Sequence, residues 1–201
     1  MNPTALVYLD YFGIAVFAVS GALLAAEKRQ TLVTFVFFAV ITGVGGGTLR
    51  DLLIGAPVFW VHSNVVLLTC IAAALAVWLT SRRRFADRAL LWFDAAGIAA
   101  YATYGAAKAL GFGVAPVPAF AMGVMTACVG GIIRDVLAGE PSILMRPELY
   151  VTAAALASGL FVIATIAGAP PALAALVAGL MGFALRGAAI ARGWSLPQYR
   201  D

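Results

Sequence analysis

Two stretches of this chain set an arginine and an aspartate side by side just after glycines: GGGTLRDLLIGAP, Gly45 to Pro57, and VGGIIRDVLAGEP, Val129 to Pro141. Arg50 with Asp51, and Arg134 with Asp135, lie in runs otherwise apolar enough to cross a bilayer. An ionised side chain at the centre of a membrane helix costs about 2.5–3.5 kcal/mol on insertion scales, so it needs a partner, a wet cavity or a short path to the interface. The chemistry open to such groups is electrostatic: pairing, holding water, or ordering a path for small ions. Asp10 and Asp94 add two more carboxylates, and Asp10 to Asp94 and Arg50 to Arg134 are both 84 positions apart. Depth along the spans places Asp10 beside Arg50 near one face of the membrane and Asp94 beside Arg134 near the other. Asp51 and Asp135, turned about 100° from the neighbouring arginine on a helix, are expected to point elsewhere, to backbone, to the other repeat or to water. Two roles stay open for these charges: ion pairs that fix how three helices pack, with the glycines admitting close backbones, or the lining of a transport path.

The glycines sharpen the second possibility. Gly45, Gly46 and Gly47, and Gly130 and Gly131, each weaken a helix by about 1 kcal/mol relative to alanine, and so predict a kink or unwound turn in the second and fifth spans. Such a break frees carbonyls, which at membrane depth are tolerated only where protein or water satisfies them and which suit a passing monovalent cation. Thr42 and Thr126 precede the two breaks at matching positions. On the fourth span Asp94, Gly97, Tyr101, Tyr104 and Lys108 share one side, whereas the matching face of the first reads Asp10, Gly13, Phe17, Ser20 and Leu24. The water path is therefore expected to lean on the fourth span, with Lys108 either gating it or snorkelling to the interface as Arg186 is expected to do.

These residues must be positioned by membrane helices. Of 201 residues 63% are hydrophobic and 11% charged, well beyond the roughly 45–50% apolar usage of soluble domains. Apolar runs of about the 20 residues needed for a helical crossing recur along the whole chain. Seven spans are expected, Ala5 to Ala26, Thr31 to Ile54, Asn64 to Thr80, Ala89 to Leu110, Pro118 to Ala138, Leu149 to Ala167 and Pro171 to Ile190. The opening MNPTALVYLD has no Lys or Arg and reads as the start of the first span, not as a cleaved signal. The 84-residue offset also aligns Gly13 with Gly97, Gly21 with Gly105, Thr42 with Thr126, Gly46 and Gly47 with Gly130 and Gly131, Gly55 with Gly139 and Pro57 with Pro141, without a gap. Three spans per unit is an odd number, so the second unit enters the membrane inverted, as in many transport proteins. The fold expected is an all-α membrane protein in one domain, 1–201: repeat one over 5–80, repeat two over 89–167 and a seventh helix over 171–190.

Lys28 and Arg29, then Arg82, Arg83, Arg84 and Arg88, then Arg146, then Arg192 and Arg200 all fall in separators on one side. Loops rich in Lys and Arg stay in the cytoplasm, so the amino terminus is expected outside and the carboxyl terminus inside. The formal charge of +4 is a topology signal, and nucleic acid is not an expected partner. No nucleotide-binding, metalloprotease or hydrolase motif is present, so no enzyme, cofactor or metal site is expected. Cys70 and Cys128 read as small packing residues and His62 as a solvated loop residue.

The doubled pattern GGTLRDLLIGAP and GGIIRDVLAGEP, in a seven-span chain with two inverted three-span units, resembles the prokaryotic trimeric intracellular cation (TRIC) channels along essentially its whole length. The resemblance implies a homotrimer in a bacterial inner membrane, in contact with lipid, with a pore inside each subunit that conducts potassium and, less readily, sodium. Gly45, Gly46, Gly47, Gly130, Gly131, Thr42, Thr126, Tyr101 and Tyr104 then become candidates for the ion path. Similar bacterial sequences have also been called glycine transporters, and inverted repeats suit a carrier of glycine or another small amino acid equally well.

Overall fold

The computed structural model describes residues 3–80, 88–197 and 199. Its order is α1 (Pro3–Glu27), α2 (Leu32–Leu53), α3 (Asn64–Leu79), α4 (Ala89–Gly111), α5 (Pro116–Leu137), a 3-10 turn (Ile143–Met145), α6 (Val151–Ile166) and α7 (Pro171–Arg192). Every helix border lies within two residues of the span expected from hydropathy. Proline opens α5 and α7 at the first turn, where its missing N–H is no loss, and left-handed glycines close α2, α5 and α7 at Gly55, Gly139 and Gly193.

Of the described helices, 8–27, 32–53, 116–137 and 171–192 are long and apolar enough to cross a membrane. α4 is as long but more polar. α3 and α6 have 16 residues each, about 24 Å at 1.5 Å per residue against a hydrocarbon core of about 30 Å. They are the third helices of their repeats, and in each repeat the segment leading into them folds back over the end of the preceding helix. Leu68, Leu75, Leu79, Ile163, Ile166 and Leu180 are exposed, as lipid-facing side chains of a bundle should be.

The repeats pack reciprocally. α1 lies on α4, and α2 on α5. A Cβ at Gly13 would fall 2.4 Å from the Tyr101 ring, and one at Gly97 2.7 Å from Phe17. Residue 13 corresponds to 97 and residue 17 to 101, so each repeat presents a glycine to the ring of the other. This exchange is the contact pattern of a two-fold axis lying in the membrane plane. α7 stands outside the repeat and packs on α4 and α6.

Arg186 of α7, expected to snorkel, is instead 1% exposed, with its guanidinium on Glu148 and 5.6 Å from the centre of the Tyr150 ring. A carboxylate on the segment before α6 draws it inward, and the backbone of Glu148 pairs antiparallel with that of Ser195 beyond the helix. Arg82, Arg83, Arg84 and Arg200 lie outside the described residues.

Candidate ion pathway and its ion pairs

At the centre of the bundle α2 crosses α5 where the glycines stand. A Cβ on Gly46 would lie 2.2 Å from the carbonyl oxygen of Thr126, and one on Gly130 2.3 Å from that of Thr42. Both helices run through this point unbroken, so the expected break at Gly45, Gly46, Gly47, Gly130 and Gly131 is not what the glycines produce. Their missing side chains let two backbones touch, and that packing outweighs their weak helix propensity. The carbonyls stay in the helical ladder. Thr42 and Thr126 turn their hydroxyls back onto Phe38 O and Met122 O at 2.7 and 2.6 Å, and the Tyr101 hydroxyl lies 3.5 Å from Gly43 O.

One turn further, each arginine binds its own neighbour. Arg50 Nε donates to Asp51 Oδ1 at 2.9 Å and Arg134 Nε to Asp135 Oδ1 at 2.9 Å. Asp51 and Asp135 do reach backbone, and Asp51 also the other repeat, as expected, but they do not leave their own arginines, because the long arginine stem folds back along the helix and cancels the 100° turn between neighbours. The second carboxylate oxygens have equally local work. Asp51 Oδ2 accepts from Phe59 N at 3.0 Å, and Asp135 Oδ2 from Ile143 N at 3.1 Å, eight residues on in both cases. Gly55 and Gly139, at φ +68° and +69°, make the left-handed turn that brings the chain back, with Ala56 N on Asp51 O and Glu140 N on Asp135 O at 2.9 and 3.0 Å. The doubled RD-x-L-x-G-x-P pattern is thus a helix-ending staple.

The two repeats differ in what meets the arginine from the other helices. Arg134 grips Asp94 with two bonds, Nη1 to Oδ1 at 2.8 Å and Nη2 to Oδ2 at 3.0 Å, and Ser20 bonds both. The corresponding pair, Asp10 with Arg50, does not form. Residue 104 corresponds to residue 20, and its tyrosine hydroxyl donates to Asp10 Oδ2 at 3.0 Å while its ring, 5.1 Å from the Arg50 guanidinium carbon, takes the place of the carboxylate. Arg50 Nη2 reaches Asp51 Oδ1 at 2.8 Å, off the hydrogen-bonding line, and Nη1 has no partner. Lys108, whose counterpart is Leu24, sets its ammonium 2.8 Å from the same Asp51 oxygen and 5.7 Å from the centre of Phe59. It is therefore an ion-pair partner and no free interfacial anchor.

Two cavities with charged side chains in their walls flank the crossing. One, about 250 Å³, lies on the side of the amino terminus and is lined by Asp10, Tyr11, Phe59, Ser63, Val66, Tyr104 and Lys108. The other, about 220 Å³, lies on the basic side, with Arg134, Asp135 and Leu24 at its floor and Glu27, Arg88, Glu140 and Arg146 around it. At its mouth Lys28 pairs with Glu140, holding that carboxyl below its usual range, and Arg146 stands 3.8 Å from it. Ser20, Glu140 and Phe59 escaped the sequence reading as site residues. The pairing of Ser20 with Tyr104 at the constant offset was the available signal for the first; nothing local marks the other two.

A family model described as a glycine transporter matches the chain twice, over 7–82 and 91–166, the two matches displaced by the same 84 residues as the repeats. The crystal structure of the TRIC trimeric intracellular cation channel orthologue from Rhodobacter sphaeroides is similar at 42% identity, covering 95% of this chain and 100% of that one, with a TM-score of 0.88. The chain belongs to the TRIC family. A UPF0126 membrane protein of Vibrio cholerae is 41% identical over 98% of this chain and 84% of its own. The UPF0126 inner membrane protein YadS of Escherichia coli is 40% identical over 73% and 72%. This TRIC-family chain is accordingly a multi-pass protein of the bacterial inner membrane, with repeated halves and no enzyme chemistry.

Proposed function

We propose that the chain is a monovalent cation channel, permeable to potassium and less so to sodium, with one pore in each subunit of a homotrimer. The observation that carries this reading is the pair of cavities with charged side chains in their walls, each lined by both inverted repeats, on opposite sides of the α2/α5 crossing inside a single subunit. Trimeric cation channels are what the similar Rhodobacter protein is named for. In this reading Thr42, Gly45, Gly46, Gly47, Thr126, Gly130 and Gly131 form the constriction, Tyr101 and Tyr104 line its approach, and the pair Lys108 to Asp51 is the gate. Arg50, Asp51, Asp94, Arg134 and Asp135 hold the helices around the path, and Asp10 faces it. Purified protein in planar bilayers should give unitary currents that reverse at the potassium equilibrium potential. Saturable glycine uptake without unitary currents would instead establish a carrier, the reading that the glycine-transporter description favours.

A lysine ammonium that moves through part of the membrane field feels up to about 2.3 kcal/mol per 100 mV. Lys108→Ala removes that charge and its ion pair with Asp51, which keeps Arg50 and the Phe59 N–H, so open probability should rise or its voltage dependence flatten. Lys108→Ala channels that match the parent in both would move the gate elsewhere.

The basic side is assigned to the cytoplasm on the distribution of Lys and Arg. A cysteine at Asn64 should react with an impermeant thiol reagent applied from outside the cell, and one at Arg29 should not. The reverse pattern would invert the orientation.

A further inference from the structure

We propose that Lys28 and Glu140 form a latch across the mouth of the cavity on the basic side, and that this ion pair, with Arg146 beside it, controls entry from that side to the buried charges at the floor. The proposal rests on the reading of that cavity as one end of the path. Its test measures access and not current, so the two can fail separately.

The latch joins the two repeats. Lys28 follows α1 and Glu140 follows α5, 112 residues apart, and both stand in the same kind of helix-ending turn. Gln30 N donates to Ala25 O at 3.0 Å and Arg29 N to Ala26 O at 3.1 Å; Glu140 N donates to Asp135 O at 3.0 Å and Gly139 N to Val136 O at 3.1 Å. The Gln30 side chain adds a bond to Lys28 O at 3.0 Å. These turns fix the two backbones and leave the charged side chains to meet or part between them. The left-handed position is a glycine after α5 but Arg29 after α1, at φ +53°, where the other repeat has Gly113 at φ +79°. A side chain disfavours that conformation. The pair Lys28 and Arg29 is thus kept where the corresponding turn uses Phe112 and a glycine, and strain held at one point marks a demand beyond the turn itself.

The two mouths differ. At the constant offset Lys28, Glu140 and Arg146 correspond to Phe112, Ala56 and His62, a set that cannot form this ion pair. The amino-terminal-side cavity instead has its lysine deep, where Lys108 meets Asp51 and the basic side has Leu24 near Asp135. Each cavity therefore carries an ion pair between the repeats that the other lacks, at the floor in one and at the mouth in the other.

Exposure makes this contact a latch and not a brace. Arg134 and Asp135 at the floor are buried, whereas the side chains of Lys28 and Glu140 are 40% and 32% exposed. Arg146, 3.8 Å from the same carboxylate, is exposed to a similar extent. Charges that already touch water are solvated again when they part, so the pair is weak, is screened by salt and opens at little cost. A buried pair such as Arg134 with Asp94 cannot open in this way, because parting would strand both charges.

The test follows a reporter cysteine, Leu24→Cys, in the full chain with Cys70→Ala and Cys128→Ala, in lipid nanodiscs. Leu24 lies one helical turn inward of Lys28 and is 4% exposed, at the cavity floor. Its rates of modification by a cationic and an anionic methanethiosulfonate of similar size read entry through the mouth. Glu140→Gln should raise both rates about three- to fivefold, the scale of an exposed ion pair. Lys28→Met should do the same, and Lys28→Arg, which restores the charge, should return the rates toward those of the parent. Raising KCl from about 0.1 M to about 1 M, which shortens the screening length from about 10 Å to about 3 Å, should raise both rates in the parent and not in Glu140→Gln. The proposal is overturned if Glu140→Gln and Lys28→Met leave the rates unchanged or move them in opposite directions, since a changed field alone speeds one reagent and slows the other. It is equally overturned if salt fails to raise both rates in the parent, an outcome that needs no substitution at the latch. Unitary currents with access unchanged by these variants would remove the latch and keep the channel, and faster access in a protein without unitary currents would do the opposite.

Discussion

Arg134→Met should destabilise the folded chain by about 3–5 kcal/mol, and Arg134→Met combined with Asp94→Leu by clearly less than the sum of the single losses. The guanidinium is 1% exposed and Asp94 fully buried, so removing the cation leaves a carboxylate with only Ser20 to satisfy it. Removing both takes the charges away together. Asp135 keeps the Ile143 N–H in either case. Unfolding titrations in mixed micelles, arranged as a double-mutant cycle, measure the coupling; additive losses would show that the two-bond grip contributes nothing. The same cycle on Asp10 and Arg50 should give a coupling well below that of Asp94 and Arg134, because Tyr104 stands between them.

Gly46→Ala and Gly130→Ala should each cost about 3 kcal/mol or more, at or above the top of the usual overpacking range. The added methyl would sit 2.2 or 2.3 Å from a backbone carbonyl oxygen, which cannot swing aside as the end of a side chain can. Gly45→Ala is the control. Its methyl meets Ile133 Cδ1 at 3.4 Å and Gly130 Cα at 3.6 Å, ordinary contacts, so the gain in helix propensity of up to about 1 kcal/mol should leave that variant neutral or stabilised. Equal effects at all three positions would mean that the glycines matter through helix propensity and not through the crossing. Thermal unfolding of the three variants decides it.

The architecture was legible because its signals are carried by position alone. Hydropathy marked seven helices, and one constant offset from Asp10 to Asp94 and from Arg50 to Arg134 marked the inverted repeat. The ion pairs were harder. Depth along a helix placed Asp10 level with Arg50, but which carboxylate an arginine takes depends on how its flexible stem folds and on what the facing helix presents. Here the exchange of Ser20 for Tyr104 and of Leu24 for Lys108 decides it: a serine is short enough to leave Arg134 in contact with Asp94, and a tyrosine ring is not. The glycines were legible as special and misread in kind. Weak helix propensity argued for a break, while their actual use depends on a partner helix that approaches from 84 residues away. Arg186 could not be placed, because the Glu148 that draws it inward lies in a segment with no periodic signal.

The staples at Asp51 and Asp135 bear on how such a chain is made. Each joins residues that are neighbours or eight apart, so it can close while the ribosome is still synthesising the next helix. That locality allows Arg50 and Arg134 to be paired with Asp51 and Asp135 before the second half is present, as compact dipoles and not as bare cations. The contacts across repeats, Arg134 with Asp94 and the glycine crossing, wait until the second half has entered the bilayer. The contacts thus divide into a set that each half can complete on its own and a set that needs both halves, and the first set masks charge that would otherwise oppose entry into lipid.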